Sequence, residues 1–226
     1  MAHPLESFAN VSRRLRTAMA SPPPGVEAQL LMSPRPRTGW EPNVFPEGAR
    51  QAAVLVLSYA DPDGARLVLT QRRHDLPDHP GQVSLPGGEV EGDETLEQAA
   101  LREAGEEVDL DVGRVEVLGR LTPLHVPVSN FVLHPIVAIA AARPELAPAD
   151  AEVARILEPR LTTLARPDRQ GLEQWRRLAD APWVPFFRVD DLIVWGATAM
   201  VLAEFMTALD APPAPWPETP ERPAGA

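Results

Sequence analysis

One stretch, residues 87–110, constrains this chain more than any other. It reads GGEVEGDETLEQAALREAGEEVDL, a Gly-Gly turn and an acidic loop followed by a run with helical periodicity. A helix over residues 95–108 places Glu103, Glu106 and Glu107 side by side, at i, i+3 and i+4. Like charges at this spacing destabilise a bare helix. Because hard divalent cations prefer oxygen ligands, the stretch predicts a metal site for phosphate chemistry over a solvated acidic face.

Composition excludes several other classes of protein. With 226 residues and 44% hydrophobic content, the chain is long enough for one well-buried domain with appendages. A net charge of −11 argues against a nucleic-acid-binding surface, which depends on clustered Lys and Arg. The absence of cysteine excludes disulfides, thiolate catalysis and Cys-based zinc sites. The first residues lack the apolar region of a secretory signal, and the most apolar run, 192–203, is too short to span a bilayer. We therefore expect a cytoplasmic protein without membrane association.

Apolar periodicity and proline content divide the chain into three parts. Residues 1–48 are predicted to form an arm, with an amphipathic helix over 4–19 and a proline-rich connector over 22–46. Residues 49–210 are predicted to form a single α/β domain. Residues 211–226 form a proline-rich tail without periodicity, which is typical of disorder.

Within the domain, strands are interspersed with two long helices. Strand patterns cover residues 52–59, 65–71, 115–121, 132–140 and 183–189, and the DPDG turn makes the first two a hairpin. Residues 132–140 are apolar enough for a central strand, in which Pro135 predicts a bulge or an edge. Helices are expected over 95–108 and 193–209. The run EVARILEPRLTTL, residues 152–164, is predicted to be a helix followed by a loop.

The acidic helix carries a family resemblance. Gly88 is followed by five residues, Glu94, seven residues and then REAGEEVDL. This resembles the Nudix box, glycine-x5-glutamate-x7-R-E-U-x-E-E-x-G-U with U aliphatic. Ala104 is a small occupant of an aliphatic position, and Asp109 stands where the pattern has glycine. Since Asp tolerates a left-handed conformation better than most residues, we expect an altered helix end and an intact site. The resemblance implies a Nudix-type α/β/α sandwich with a mixed β-sheet between helices.

A second resemblance lies just upstream. Residues 67–88, LVLTQRRHDLPDHPGQVSLPGG, are similar to the pattern L-L-T-x-R-S-x-x-L-R-x-H-x-G-Q-V-x-F-P-G-G of coenzyme A pyrophosphatases within the Nudix family. Pro77 replaces an Arg of that pattern, Arg73 a Ser and Leu85 a Phe. The segment around Trp195 near the C-terminus also resembles the closing helix of these enzymes.

The resemblance implies roles for individual residues. The metal ligands would be Glu103, Glu106, Glu107 and the backbone carbonyl of Gly87, with Mg²⁺ or Mn²⁺ as the ion. Glu94 and Arg102 would form a structural ion pair. Glu152 matches an acidic position that can supply the general base, and Glu103 is the alternative base. Arg72 and Arg73 would bind phosphate, with His79 and Gln82 as further polar contacts to the substrate.

Three functions remain open at this point. The first is hydrolysis of the diphosphate linkage of coenzyme A or its derivatives to 3′,5′-ADP and 4′-phosphopantetheine. Because Pro77 replaces a basic residue, an ADP-ribose, dinucleotide or other nucleoside-diphosphate pyrophosphatase is the second. A catalytically silent Nudix domain that binds a nucleotide or a partner protein is the third. The expected partner is a small nucleotide-type substrate, and the resemblance also favours a homodimer.

Overall fold

A computed structural model describes residues 5–148, 151–176 and 181–216. In these ranges the chain forms both helices and strands, with 3₁₀ turns at Val112–Arg114 and Pro167–Arg169. The α-helices are Phe8–Met19 (α1), Val26–Leu30 (α2), Leu96–Val108 (α3), Leu161–Leu164 (α4) and Gly196–Ala208 (α5). The strands are Arg50–Asp61 (β1), Gly64–Leu67 (β2), Leu69–Arg72 (β3), Val83–Ser84 (β4), Gly87–Glu89 (β5), Glu116–Arg120 (β6), Leu124–Val126 (β7), Phe131–Ala140 (β8), Val153–Leu157 (β9), Gln170–Gln174 (β10), Trp183–Val189 (β11) and Leu192–Trp195 (β12).

The large sheet is built on β1 and β8, which pair in parallel from Arg50 beside Phe131 to Tyr59 beside Ala140. Both strands are nearly continuously apolar, as expected of strands covered on both faces. β2 and β5 pair with β1, while β6 and β7 pair with β8. The predicted central strand is confirmed, but Pro135 is not at an edge. It lies where the partner of β8 changes from β7 to β6, so its missing N–H falls at a gap between two partner strands.

Helices cover both faces of this sheet, and the predicted α/β/α sandwich with a mixed sheet is confirmed. Ala53, Leu55 and Leu57 of β1 pack with the apolar side of α3. The alternating residues Val54 and Val56 belong to the larger core, which contains α1, α5 and the two smaller sheets. The period-two alternation of β1 therefore divides the domain into two cores, and the acidic helix α3 packs on the smaller one.

Two antiparallel sheets of short strands complete the domain, in the orders β4-β3-β9 and β10-β11-β12. They correct two predictions. The prediction of a helix followed by a loop over residues 152–164 is wrong, because residues 153–157 form β9, which pairs with β3, and Leu161–Leu164 forms α4. A short apolar run does not distinguish helix from strand by periodicity alone. The last helix begins at Gly196, not at residue 193, because Leu192–Trp195 pairs with β11 as β12.

The predicted arm packs against the domain. α1 buries Val11 and Leu15 in the larger core. Beyond it, the fully buried carboxylate of Glu204 in α5 accepts hydrogen bonds from the Gly25 N–H at 3.0 Å and from Gln29 Nε2 at 2.9 Å. Buried carboxylates are stable only when hydrogen-bonded, so this contact ties the arm to α5.

The described start of the predicted tail also contacts the domain. Trp216 packs against the larger core, and the Ala214 N–H donates to Gln170 Oε1 at 3.1 Å. Residues 217–226 of the predicted tail lie outside the described ranges. In the part of the chain that the structure describes, no helix is long and apolar enough to cross a membrane.

Candidate metal and phosphate site

The acidic helix α3 has a defined start. Thr95 is the N-cap, and its hydroxyl accepts the Gln98 N–H at 3.2 Å while Gln98 Oε1 accepts the Thr95 N–H at 2.7 Å. This reciprocal capping box satisfies two N–H groups that the helix leaves unpaired. Ala99, Ala100 and Ala104 then face the sheet and are fully buried. Small residues on this face let α3 lie close to β1. This short separation determines the positions that the carboxylates of α3 can occupy.

The end of α3 is the point at which the motif departs from its pattern. Asp109 has φ 55° and ψ 36°, a left-handed conformation, and its N–H donates to the Ala104 carbonyl. The motif has glycine here because a residue without Cβ adopts this conformation at little cost. Asp109 adopts the left-handed conformation, which the sequence indicated that Asp tolerates, and the intact site remains a prediction.

Substitutions at Asp109 test this account. Asp109→Val is expected to lower the free energy of unfolding by about 1–2 kcal/mol, because a β-branched residue is strained in the left-handed region. Asp109→Gly is expected to be at least as stable as the wild type. Urea unfolding followed by circular dichroism measures both, and an Asp109→Val protein as stable as the wild type would contradict the assigned strain.

The Gly-Gly turn lies directly against the glutamates of α3. Gly87 pairs with Val54 of β1, and its N–H donates to Glu107 Oε2 at 3.4 Å. A Cβ placed on Gly88 would lie 2.3 Å from Glu103 Oε1. A side chain at position 88 would therefore displace the Glu103 carboxyl group, and one at position 87 would meet the backbone of β1. Glu107 is buried, whereas Glu106 is exposed.

Arg102 joins the loop to the glutamates. Its Nε and Nη2 donate to the two oxygens of Glu94, at 3.1 and 2.9 Å, which is the ion pair that the sequence predicted. Its Nη1 donates to Glu103 Oε1 at 3.0 Å and to Glu106 Oε2 at 3.1 Å, contacts that sequence reasoning missed. Arg102 holds the pKa of Glu94 below its usual value, while burial raises the pKa of Glu103 against the opposing effect of Arg102.

This arrangement suits a hard cation. Glu103 and Glu106 are held near each other by a single nitrogen of Arg102, and Glu107 lies at the neighbouring Gly87 backbone. The donors are all oxygens, and Arg102 alone does not neutralise them, since it also pairs with Glu94. Among the described residues, no three acidic or histidine side chains already enclose one point as ligands. Side-chain rotation, chiefly of Arg102 and Glu106, would therefore accompany metal binding.

A second set of site residues meets at the β3–β9 pairing. Arg72 Nη1 donates to Glu152 Oε2 at 2.7 Å, although the two residues are 80 positions apart. The Arg73 N–H donates to the Glu152 carbonyl at 2.8 Å. The strand register shifts between Gln71 and Arg72, which changes the direction of the side chains there. The sequence proposed Arg72 for substrate and Glu152 for the base, but did not predict that they are paired.

The remaining predicted substrate residues lie in the loop between β3 and β4. Arg73 forms a two-bond ion pair with Asp75, at 2.9 and 2.7 Å, which lowers the pKa of Asp75 to about 2. His79 is exposed in a left-handed conformation, and its carbonyl accepts the Gln82 N–H at 3.2 Å. The Gln82 carbonyl accepts the Arg72 N–H at 2.9 Å. His79 and Gln82 thus shape the loop that presents Arg72.

Gly81 lies against the ring of His74. A Cβ on Gly81 would lie 2.3 Å from the His74 ring, and Gly81 has φ +69°. The ring of His74 therefore packs on the loop backbone at this glycine. The proximity of His74 to the G-Q-V run is a tertiary contact, and no spacing in the sequence indicates it.

Comparison with known proteins identifies relatives of the whole domain. The NUDIX domain profile matches residues 49–190. An uncharacterized Nudix hydrolase NudL from Pectobacterium atrosepticum is 38% identical over 154 residues, which cover 68% of this chain and 79% of the relative. A NudL from Citrobacter koseri is 40% identical over 159 residues, covering 69% of this chain and 80% of the relative.

Solved structures show a more distant similarity. The Nudix hydrolase RenU of M. smegmatis is 25% identical with a TM-score of 0.45, covering 52% of this chain and 74% of that protein. The NUDIX domain of Shewanella oneidensis NrtR, solved with ADP ribose, is 21% identical with a TM-score of 0.41, covering 55% of this chain and 80% of that protein.

Proposed function

The chain belongs to the Nudix hydrolase family, and from that premise we propose that it is a divalent-metal-dependent pyrophosphatase acting on coenzyme A or its derivatives. It would split their diphosphate linkage into 3′,5′-ADP and 4′-phosphopantetheine. The observation that carries this proposal is the meeting of Glu103 and Glu107 with the Gly87–Gly88 backbone. The coenzyme A specificity is supported by the similarity of residues 67–88 to the pattern of that branch.

The oxygen donors would hold Mg²⁺ or Mn²⁺ through Glu103, Glu106, Glu107 and the Gly87 carbonyl. Such ions, when bound, neutralise charge on a diphosphate and lower the pKa of bound water. The protein's contribution is to keep the carboxylates together despite their repulsion. Arg102 does so by donating to Glu103 and Glu106 while it is anchored on Glu94.

The other residues act on substrate and water. Arg72 is the proposed phosphate-binding cation, since a guanidinium matches a phosphate with two parallel N–H groups. Arg73, His79 and Gln82 are proposed as further contacts from the same loop. Glu152 is the proposed general base, which takes a proton from the attacking water. Glu103 is the alternative base, and burial raises the pKa of its carboxyl, which makes the carboxylate a stronger proton acceptor.

A substrate panel with and without metal tests this proposal. With Mg²⁺, the purified protein is expected to convert coenzyme A to 3′,5′-ADP and 4′-phosphopantetheine, resolved by liquid chromatography. EDTA should abolish turnover, and excess Mn²⁺ should restore it. AMP is the matched negative substrate, because it has a phosphate but no anhydride bond.

The other outcomes of the panel identify the alternatives. Faster turnover of ADP-ribose or a dinucleotide than of coenzyme A would favour the second function, which Pro77 in place of Arg leaves open. Nucleotide binding that is unaffected by EDTA, with no product from any substrate, would favour the silent binding domain.

We also propose a cytoplasmic homodimer, for which light scattering of the purified protein measures the oligomeric state.

A further inference from the structure

We propose that Arg72 and Glu152 exchange partners when substrate binds, so that a phosphate takes over Arg72 and thereby releases Glu152 to act on water. This inference rests on the proposed function and adds a positioning role to both residues. In the free protein Glu152 occupies Arg72 through one hydrogen bond of 2.7 Å. The contact joins the proposed phosphate-binding residue to the proposed base.

One N–H donor of the Arg72 guanidinium has no hydrogen-bond acceptor among the described residues. This donor is Nε, which is buried. Buried donors in folded proteins almost always have partners, so an orphaned Nε indicates a missing acceptor. A phosphate presents several acceptor oxygens and binds guanidinium through two parallel N–H groups. It can therefore satisfy Nε together with a terminal nitrogen, which the carboxylate of Glu152 does not do.

The pair is placed so that it can separate. The side chains of Arg72 and Glu152 are 26% and 48% exposed, and ion pairs in contact with water contribute little net stability. The backbone of Glu152 is fixed independently, because its carbonyl accepts the Arg73 N–H at 2.8 Å. Exchange therefore needs rotation of the Glu152 side chain and a turn of the Arg72 guanidinium that brings its buried Nε to the phosphate, while the backbone stays in place. Arg102 differs, since it holds three carboxylates at once.

Once released from Arg72, the carboxylate of Glu152 serves as the general base. As the water oxygen forms its bond to phosphorus, Glu152 accepts the proton of that water. The bridging P–O bond breaks, and the leaving phosphate keeps the electron pair. Before substrate arrives, Arg72 neutralises Glu152 and holds it in the paired position, so the base becomes available only when a phosphate is present.

Replacing Glu152 by Gln tests the exchange, because the substitution should slow catalysis and at the same time strengthen phosphate binding. Loss of the base is expected to lower kcat for coenzyme A by about 10²- to 10⁴-fold. Loss of the competing carboxylate should tighten binding of ADP by about 1.5- to 5-fold, measured by calorimetry in EDTA so that the anhydride bond of ADP is not hydrolysed. If the pair merely fastens β3 to β9, the variant should bind ADP no better than the wild type.

Two further variants complete the experiment. In an Arg72→Met background, Glu152→Gln should no longer tighten ADP binding, since the effect depends on Arg72. If Arg72→Met does not fold, Arg72→Gln serves instead, because it is polar but removes the charge that pairs with Glu152. Asp191→Asn is the matched control: Asp191 pairs with Arg155 of β9 at 3.1 Å, and its replacement should leave kcat and ADP affinity unchanged.

The proposed function is measured separately, through turnover by the wild type. If the wild type hydrolyses no substrate of the panel, the proposed function fails. If the wild type is active but Glu152→Gln binds ADP no tighter, or tightens binding equally without Arg72, the exchange is overturned and the function stands.

Discussion

Replacing Glu106 by Gln is expected to reduce metal-dependent hydrolysis at least about a hundredfold while the protein stays folded. The proposed metal would contribute several kcal/mol of charge stabilisation in the transition state, and each 1.4 kcal/mol corresponds to a tenfold change in rate. The carboxyl of Glu106 is exposed and is held by Arg102 alone among the described hydrogen bonds. Its loss should therefore change the free energy of unfolding by no more than about 0.5 kcal/mol.

The measurement is a Mg²⁺ titration of initial rates beside a thermal melt. Glu97→Gln is the matched control, because Glu97 lies on the same helix and pairs with Arg120 at 2.6 Å, away from the three clustered glutamates. The control should keep wild-type rates. Robust turnover by Glu106→Gln, with unchanged dependence on Mg²⁺, would overturn the metal assignment.

The two neighbouring glycines are expected to respond differently to the same substitution. A Cβ on Gly87 would lie 2.3 Å from the Ala53 carbonyl oxygen and 2.6 Å from Val54 Cα, both in the backbone of β1, and Gly87 has φ +153°. Since neither strand can move away, Gly87→Ala should cost about 2–5 kcal/mol. That corresponds to a fall in Tm of roughly 5–15 °C for a protein of this size.

Gly88→Ala is expected to leave the stability of the fold nearly unchanged and to lower the activity. The three atoms nearest to its Cβ would all belong to the Glu103 carboxyl group, at 2.3 to 2.7 Å, and that side chain can rotate. We expect a loss of stability below about 1 kcal/mol and a loss of activity of at least about tenfold, because Glu103 would leave its place beside the turn. Calorimetric melts and coenzyme A turnover of both variants measure the difference. Full activity in Gly88→Ala would show that this position of Glu103 is not required.

The sequence predicted the large elements because their patterns are local. The spacing of residues 87–110 and the apolar faces of β1, β8 and α3 are each set by neighbours within a few turns or one strand. The left-handed conformation of Asp109 agrees with the tolerance of Asp for that region, which is a property of the residue itself. The predictions failed at 153–157 and 192–195, where pairing with a distant strand, β3 or β11, determines the structure.

The sequence by itself therefore determined which residues gather at the acidic helix, because a helix fixes the direction of side chains three and four positions apart. Only the tertiary structure decided what these residues contact. Glu103 lies against the Gly88 backbone of β5, and Glu152 lies on Arg72 from 80 positions away. Such contacts depend on how separate strands pair and shift register, and no local spacing encodes that.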